Sequence, residues 1–215
     1  FAKYPEISQC VDSVTDLVRE FRQDDQLELE ARFGRFIGNR FVPGLPRETI
    51  DAILCMVQGC SSLSGDDWHE EHDFYFRGTL GRPMRTRVTF DDVRMQLDRT
   101  TIEKKPLHKL DFCCKATTGM DMRIALSREV VEDKPPSAIN PNFMRIKQRK
   151  RFTSYYRSEP QWVFDFSMTW EGRNKEIAEL QQRQENPIFE LEVELLHVAD
   201  YMRAKSDAHI AASLF

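Results

Sequence analysis

In segment after segment of this sequence, period-two alternation sets charged residues on one face of a strand and apolar residues on the other, and the charged faces differ in sign. Glu28, Glu30 and Arg32 alternate with Leu27, Leu29, Ala31 and Phe33, and Glu190, Glu192 and Glu194 alternate with Phe189, Leu191, Val193 and Leu195. Asp121, Arg123, Ser127 and Glu129 share a third face, and Asp165, Ser167 and Thr169 a fourth. Two faces are basic: Arg85 with Arg87, and Arg145 with Lys147, Arg149 and Arg151. One such strand is ordinary in a sheet wet on one side. A triplet of like charges at i, i+2 and i+4, however, repels itself and asks for a metal or for arginines. Acidic faces on some strands and basic faces on others predict a barrel closed with its polar faces inward, where the two signs meet a metal and a polyanion.

The outward apolar faces cannot all stay wet, so helices must cover them. Helical spacing is present over residues 6–22, where Ile7, Val11, Val14, Leu17, Val18 and Phe21 recur, and from Pro46 to Gly59, with Ile50, Ile53, Leu54 and Val57 on one face. Further helices are expected over Asn174–Gln184 and Val198–Phe215. Strands are expected near 27–33, 73–79, 84–90, 95–104, 109–116, 120–130, 144–156, 162–170 and 188–197, with a proline-rich, mobile loop from Asp133 to Asn142. The fold class is α+β: one domain, 1–215, built on a closed antiparallel β-barrel of about eight strands covered by helices.

Composition narrows the function. The net charge of −4 gives no uniformly basic footprint, so a polyanion would have to be gripped locally. Five cysteines without a CxxC pair argue against both a disulfide framework and a thiolate zinc site, and favour a reducing compartment. No apolar run approaches the roughly 18 to 20 residues of a membrane helix, so no membrane partner is expected. The chain opens on Phe1 rather than Met, and its natural start is expected to lie upstream. His69-Glu70-Glu71-His72 is not HExxH and reads as a solvated turn. Cys113 and Cys114 read as opposite faces of a strand, and His108, His197 and His209 as isolated.

The end strands, Leu27-Glu28-Leu29-Glu30 and Phe189-Glu190-Leu191-Glu192-Val193-Glu194, resemble the paired glutamate motifs of the triphosphate tunnel metalloenzymes. Within that superfamily the chain is most similar to the metal-dependent RNA 5′-triphosphatases of mRNA capping in fungi and protozoa, and its compactness resembles a trypanosomatid member. Arg87-Val88-Thr89, Ile102-Glu103-Lys104-Lys105, the segment from Asp121 to Glu129, and the basic run Arg145 to Ser154 resemble intermediate strands of the family. Register in the basic run is open by two residues, which keeps Lys147, Arg149 and Arg151 on one face. Phe164-Asp165-Phe166-Ser167 matches the family's aspartate, but Val163 stands where fungal members carry arginine.

The resemblance implies removal of the γ-phosphate of triphosphate-ended pre-mRNA, with Mn²⁺-dependent cleavage of nucleoside triphosphates beside it. It implies Glu28, Glu30 and Glu194 as ligands of Mg²⁺ or Mn²⁺, ions that favour oxygen donors. Glu190 and Glu192 would orient metal-bound water or neighbouring basic side chains. Arg87, Lys104, Lys147, Arg149 and Arg151 would clamp phosphates, Asp165 would contribute to the site, and Glu129 would position the attacking water. It further implies a nuclear setting and a guanylyltransferase partner. Two alternatives remain: a tunnel enzyme acting on tripolyphosphate or thiamine triphosphate, and a non-catalytic module binding polyphosphate or RNA ends.

Overall fold

The computed structural model describes residues 5–21, 24, 26–77, 83–90, 95–113, 120–132, 140–156 and 159–213. Among these described residues ten strands and five helices follow one another as α1 (Pro5–Phe21), β1 (Leu27–Ile37), β2 (Arg40–Pro43), α2 (Arg47–Gln58), β3 (Leu63–Gly65), β4 (His69–Arg77), β5 (Pro83–Phe90), β6 (Gln96–Phe112), β7 (Asp121–Val131), β8 (Phe143–Tyr156), β9 (Glu159–Gly172), α3 (Lys175–Arg183), β10 (Ile188–Leu195), α4 (Val198–Ala204) and α5 (Asp207–Ser213). The sheet runs β10-β9-β8-β4-β5-β6-β7-β1, and β1 pairs antiparallel with β10 to close it. Eight strands make the barrel; β2 extends β1, and β3 adds to β8.

Closure joins the two glutamate strands, with Glu30 opposite Glu194 and Arg32 opposite Glu192. Because side chains alternate, this register sends the charged faces of β1, β5, β8 and β10 inward and the apolar faces of β1 and β10 out. Helices cover the outside in three patches. Val14, Leu17 and Val18 of α1, with Tyr201 of α4 and Ile210 of α5, pack on Leu29, Ile124, Leu126, Val193 and Leu195. Ile50 of α2 packs with Phe152, Phe166 and Leu191. Ala178 of α3 seats on Met144, Ile146 and Trp170, and a Cβ at Gly172 would lie 2.5 Å from the Ala178 nitrogen, so glycine permits that approach.

The limits of α1, α2 and α3 agree with the periodicity, but the tail expected to be helical from Val198 to Phe215 is broken at Lys205, whose backbone is extended, into α4 and α5, and residues 214–215 lie outside the described residues. Asn174 caps α3 by accepting a 3.0 Å hydrogen bond from the Ile177 amide. Gly59 follows α2. No helix among the described residues is long and apolar enough to cross a membrane.

Three expectations about strands need correction. The segments 95–104 and 109–116 are one strand, β6, which passes Pro106 by shifting register between Pro106 and His108; a bulge tolerates the missing N–H. It ends at Phe112, so Cys113 lies beyond the strand and is exposed. His69–His72 is not a turn but the first half of β4, and alternation puts His69 and Glu71 on one face and Glu70 and His72 on the other. Cys114 and residues 133–139 of the proline-rich loop lie outside the described residues.

Candidate active site

The inward faces line a cavity of about 550 Å³ that includes Glu28, Glu30, Arg87, Lys104, Glu129, Lys147, Arg149, Arg151, Asp165, Glu192 and Glu194. All the site residues expected from sequence line it except Glu190, which shares the inward face of β10 with Glu192 and Glu194 but is buried: Thr169 donates to it at 2.7 Å, and the Lys147 ammonium is 3.4 Å away. Its observed contact is therefore with a basic side chain.

On β4, β5, β8 and β9 the charges are matched. Asp73, with no exposed surface, accepts from Arg87 Nε at 2.7 Å and Nη2 at 3.0 Å. Glu71 lies between strands, 3.2 Å from Arg87 Nε and 3.4 Å from Arg149 Nε. Asp165 accepts from Arg149 at 3.0 Å and from Arg151 at 2.8 and 2.7 Å. Burial raises the Glu71 carboxyl, but the His69 hydrogen bond and the Arg149 and Arg87 charges outweigh it and hold it at about 2. Burial also opposes ionisation of Glu192, yet Lys147, Arg149 and Arg32 hold it well below the usual carboxylate range.

On β1, β7 and the end of β10, at Glu194, the balance is reversed. Lys104 contacts Glu28 and lies 3.6 Å from Glu30 and 3.5 Å from Glu129, so one ammonium serves three carboxylates. Ser127 donates to Glu28 at 2.8 Å, and Arg32 lies 3.2 Å from Glu30. Burial pushes Glu30 up despite Lys104 and Arg32, and burial with the Glu28 charge pushes Glu129 up. Glu194 has no hydrogen-bond or salt-bridge partner among the described residues; burial, then the Glu28 and Asp165 charges, raise it to about 7. Its neighbour across the ladder is Val163, buried and apolar, at the position where the sequence departs from its resemblance.

Among the described residues no three carboxylate, imidazole or thiolate groups converge as a ready metal cage. The reason is visible at Glu28 and Glu30, where the Lys104 ammonium lies between the carboxylates. The donor set nevertheless fits a hard divalent cation: it is all carboxylate oxygen, clustered on adjacent strands, and two of its members, Glu30 and Glu194, are raised by burial that the nearby cations do not offset. The residues that would hold the ion are Glu28, Glu30 and Glu194.

Sequence reasoning missed Glu71 and Asp73, because the histidine cluster read as a turn and the strand was begun too late. The signal was there: alternation runs back from Tyr75 through Asp73 and Glu71 to His69. Arg32, Arg85 and Arg145 were placed on inward faces without roles, and all three line the cavity.

A closed barrel with a cationic wall facing clustered carboxylates is the architecture of a triphosphate tunnel. Residues 63–213 match the family model described as mRNA capping enzyme, beta chain, and the chain belongs to that family. In fold it is similar to the S. pombe RNA triphosphatase Pct1, at 16% identity and a TM-score of 0.65 over 94% of this chain and 83% of that one. Pct1 in complex with the Spt5 CTD gives 17% identity and a TM-score of 0.67, over 94% and 84%. The Mimivirus capping enzyme triphosphatase gives 10% and 0.58, over 95% and 93%. Compared with curated proteins, the chain has no significant sequence match.

Proposed function

We propose that this chain is an mRNA 5′-triphosphatase, removing the γ-phosphate of triphosphate-ended pre-mRNA as the first step of cap formation. The observation that carries this reading is the cavity in which the cations of β5, β6 and β8 face the carboxylates of β1 and β10. Phosphoryl transfer needs little covalent chemistry from a protein and much positioned charge. Arg87, Arg149 and Arg151 are held by Asp73, Glu71 and Asp165, so their remaining N–H groups meet phosphate oxygens already oriented. Lys104 and Lys147 add point charges. Glu129, raised above an ordinary carboxyl, is suited to accept a hydrogen bond from the attacking water.

The activity is metal-dependent in this reading, with Mg²⁺ or Mn²⁺ as the ion and Glu28, Glu30 and Glu194 as its ligands. A divalent cation there would supply charge neutralisation to the terminal phosphoryl oxygens. Nucleoside triphosphates are cleaved as well. The same reading carries one domain spanning 1–215, a nuclear setting, a trypanosomatid affinity and contact with a guanylyltransferase; the Spt5 CTD complex of the S. pombe relative supports a protein partner.

Phosphate release from triphosphate-ended RNA, ATP and tripolyphosphate, each with Mg²⁺, Mn²⁺ or EDTA, tests it. The expected products from RNA are orthophosphate and a diphosphate end, with no turnover in EDTA. Pyrophosphate as the main product, or turnover on tripolyphosphate alone, would contradict it.

A further inference from the structure

The lining of the cavity is segregated by polarity. Of its five apolar lining residues, four, Tyr75, Pro83, Met84 and Phe143, come from the end of β4 and the starts of β5 and β8, and the fifth, Pro106, lies on β6. In the antiparallel barrel these positions share one rim, whereas Glu28, at the start of β1, and Glu194, at the end of β10, belong to the other. Tyr75 is opposite Phe143 in the ladder, with ring centroids 5.7 Å apart and planes inclined at 55°. The Arg145 guanidinium lies 5.8 Å from the Tyr75 centroid and 5.7 Å from that of Phe143. It is anchored by Glu171 at 2.6 Å. Both rings are half-buried, so each keeps accessible surface.

We propose that Tyr75, Phe143 and Arg145 form a nucleobase subsite at this rim, which stacks the first nucleoside of a triphosphate-ended chain and aims its phosphates inward. The proposal rests on the triphosphatase reading and goes beyond it, because the clamp recognises phosphate alone. Order along β8 carries the argument. Phe143, Arg145, Lys147 and Arg149 share one face at steps of about 7 Å, so ring, cation, cation and cation follow one another toward the acidic strands. That is the order of base and successive phosphates in a nucleotide. A guanidinium beside two rings also makes a stacking platform open to any base, since every base offers a π face. Recognition is therefore tolerant of sequence and selective for a nucleoside over bare polyphosphate.

The test compares kcat/KM for tripolyphosphate, ATP and triphosphate-ended RNA in wild type, Tyr75→Leu, Phe143→Leu and Tyr75→Phe. Loss of one stacked base lowers binding by about 5- to 150-fold. The two leucine variants should lose about tenfold or more on ATP and RNA, chiefly through KM, while tripolyphosphate turnover stays within about twofold and also reports a folded enzyme. Tyr75→Phe should retain wild-type values. Should the leucine variants not fold, saturation-transfer NMR of ATP with the wild-type protein decides: base protons receive saturation from aromatic side chains if the subsite exists, and none if it does not. A wild type active on all three substrates, whose leucine variants lose all three in parallel or none, overturns the subsite alone. A wild type that cleaves tripolyphosphate but neither ATP nor RNA overturns the proposed function along with it.

Discussion

The two walls of the tunnel are built from the same kinds of residue and are electrostatically unlike. On β4, β5, β8 and β9, the three carboxylates Glu71, Asp73 and Asp165 meet three guanidiniums, and Glu71 is ionised far below its ordinary range. On β1, β7 and the end of β10, Glu28, Glu30 and Glu129 share Lys104, and Glu194, with no ion pair among the described residues, is raised to about 7. A pre-paired wall holds its cations in place for an anion. An underpaired wall carries repulsion that only a further cation relieves. In the proposed function, the first wall is the one that meets phosphate and the second the one that takes a metal.

Neutralising the underpaired wall should have the largest effect. Glu30→Gln and Glu194→Gln should each lower turnover by orders of magnitude, read by steady-state phosphate release. Breaking the paired wall should act on stability instead. Asp73→Asn leaves Arg87 buried beside a neutral amide, at a cost of about 3 to 5 kcal/mol that urea denaturation would detect; an unchanged midpoint would show the pair to be dispensable.

A subtler change keeps charge and alters shape. Arg149→Lys and Arg151→Lys lose the planar donor fork on Asp165, so at least one should lose turnover by tenfold or more while metal affinity is kept. Parallel loss of metal binding would merge the two walls into one.

Acid gives the smallest effect. The folded state holds Glu71 at about 2 against an ordinary 4.5, so its contribution is present above 4.5 and is lost as pH falls toward 2. The upper limit of that contribution is about 3 kcal/mol. Below pH 4.5 the wild-type stability should therefore fall more steeply with acid than that of Glu71→Gln, and equal slopes would sink the idea.

Much of this was legible in the sequence because parity alone decides which strand residues face inward, and a register error of two leaves the face unchanged, as in Lys147, Arg149 and Arg151. What hid from it were features that parity does not encode. Pro106 divides a single strand in the pattern, since a bulge depends on its partner strand. The four residues of β2 and three of β3 are too few to show a period. The dense charge of His69–His72 imitates a turn until the cross-strand arginines are in view. Glu194 looks like one more glutamate until its ladder partner is known to be Val163.

The central claim is that Glu30 and Glu194, raised by burial, are held for a metal to relieve, beside a Glu28 that Lys104 and Ser127 keep ionised against burial. Calorimetric titration of Mn²⁺ into wild type and Glu194→Gln, with metal-free melting of both, tests it most directly. The account predicts that the variant binds Mn²⁺ about 10- to 100-fold more weakly yet melts, without metal, at or above the wild-type temperature. Equal affinity together with a lowered melting temperature would contradict it.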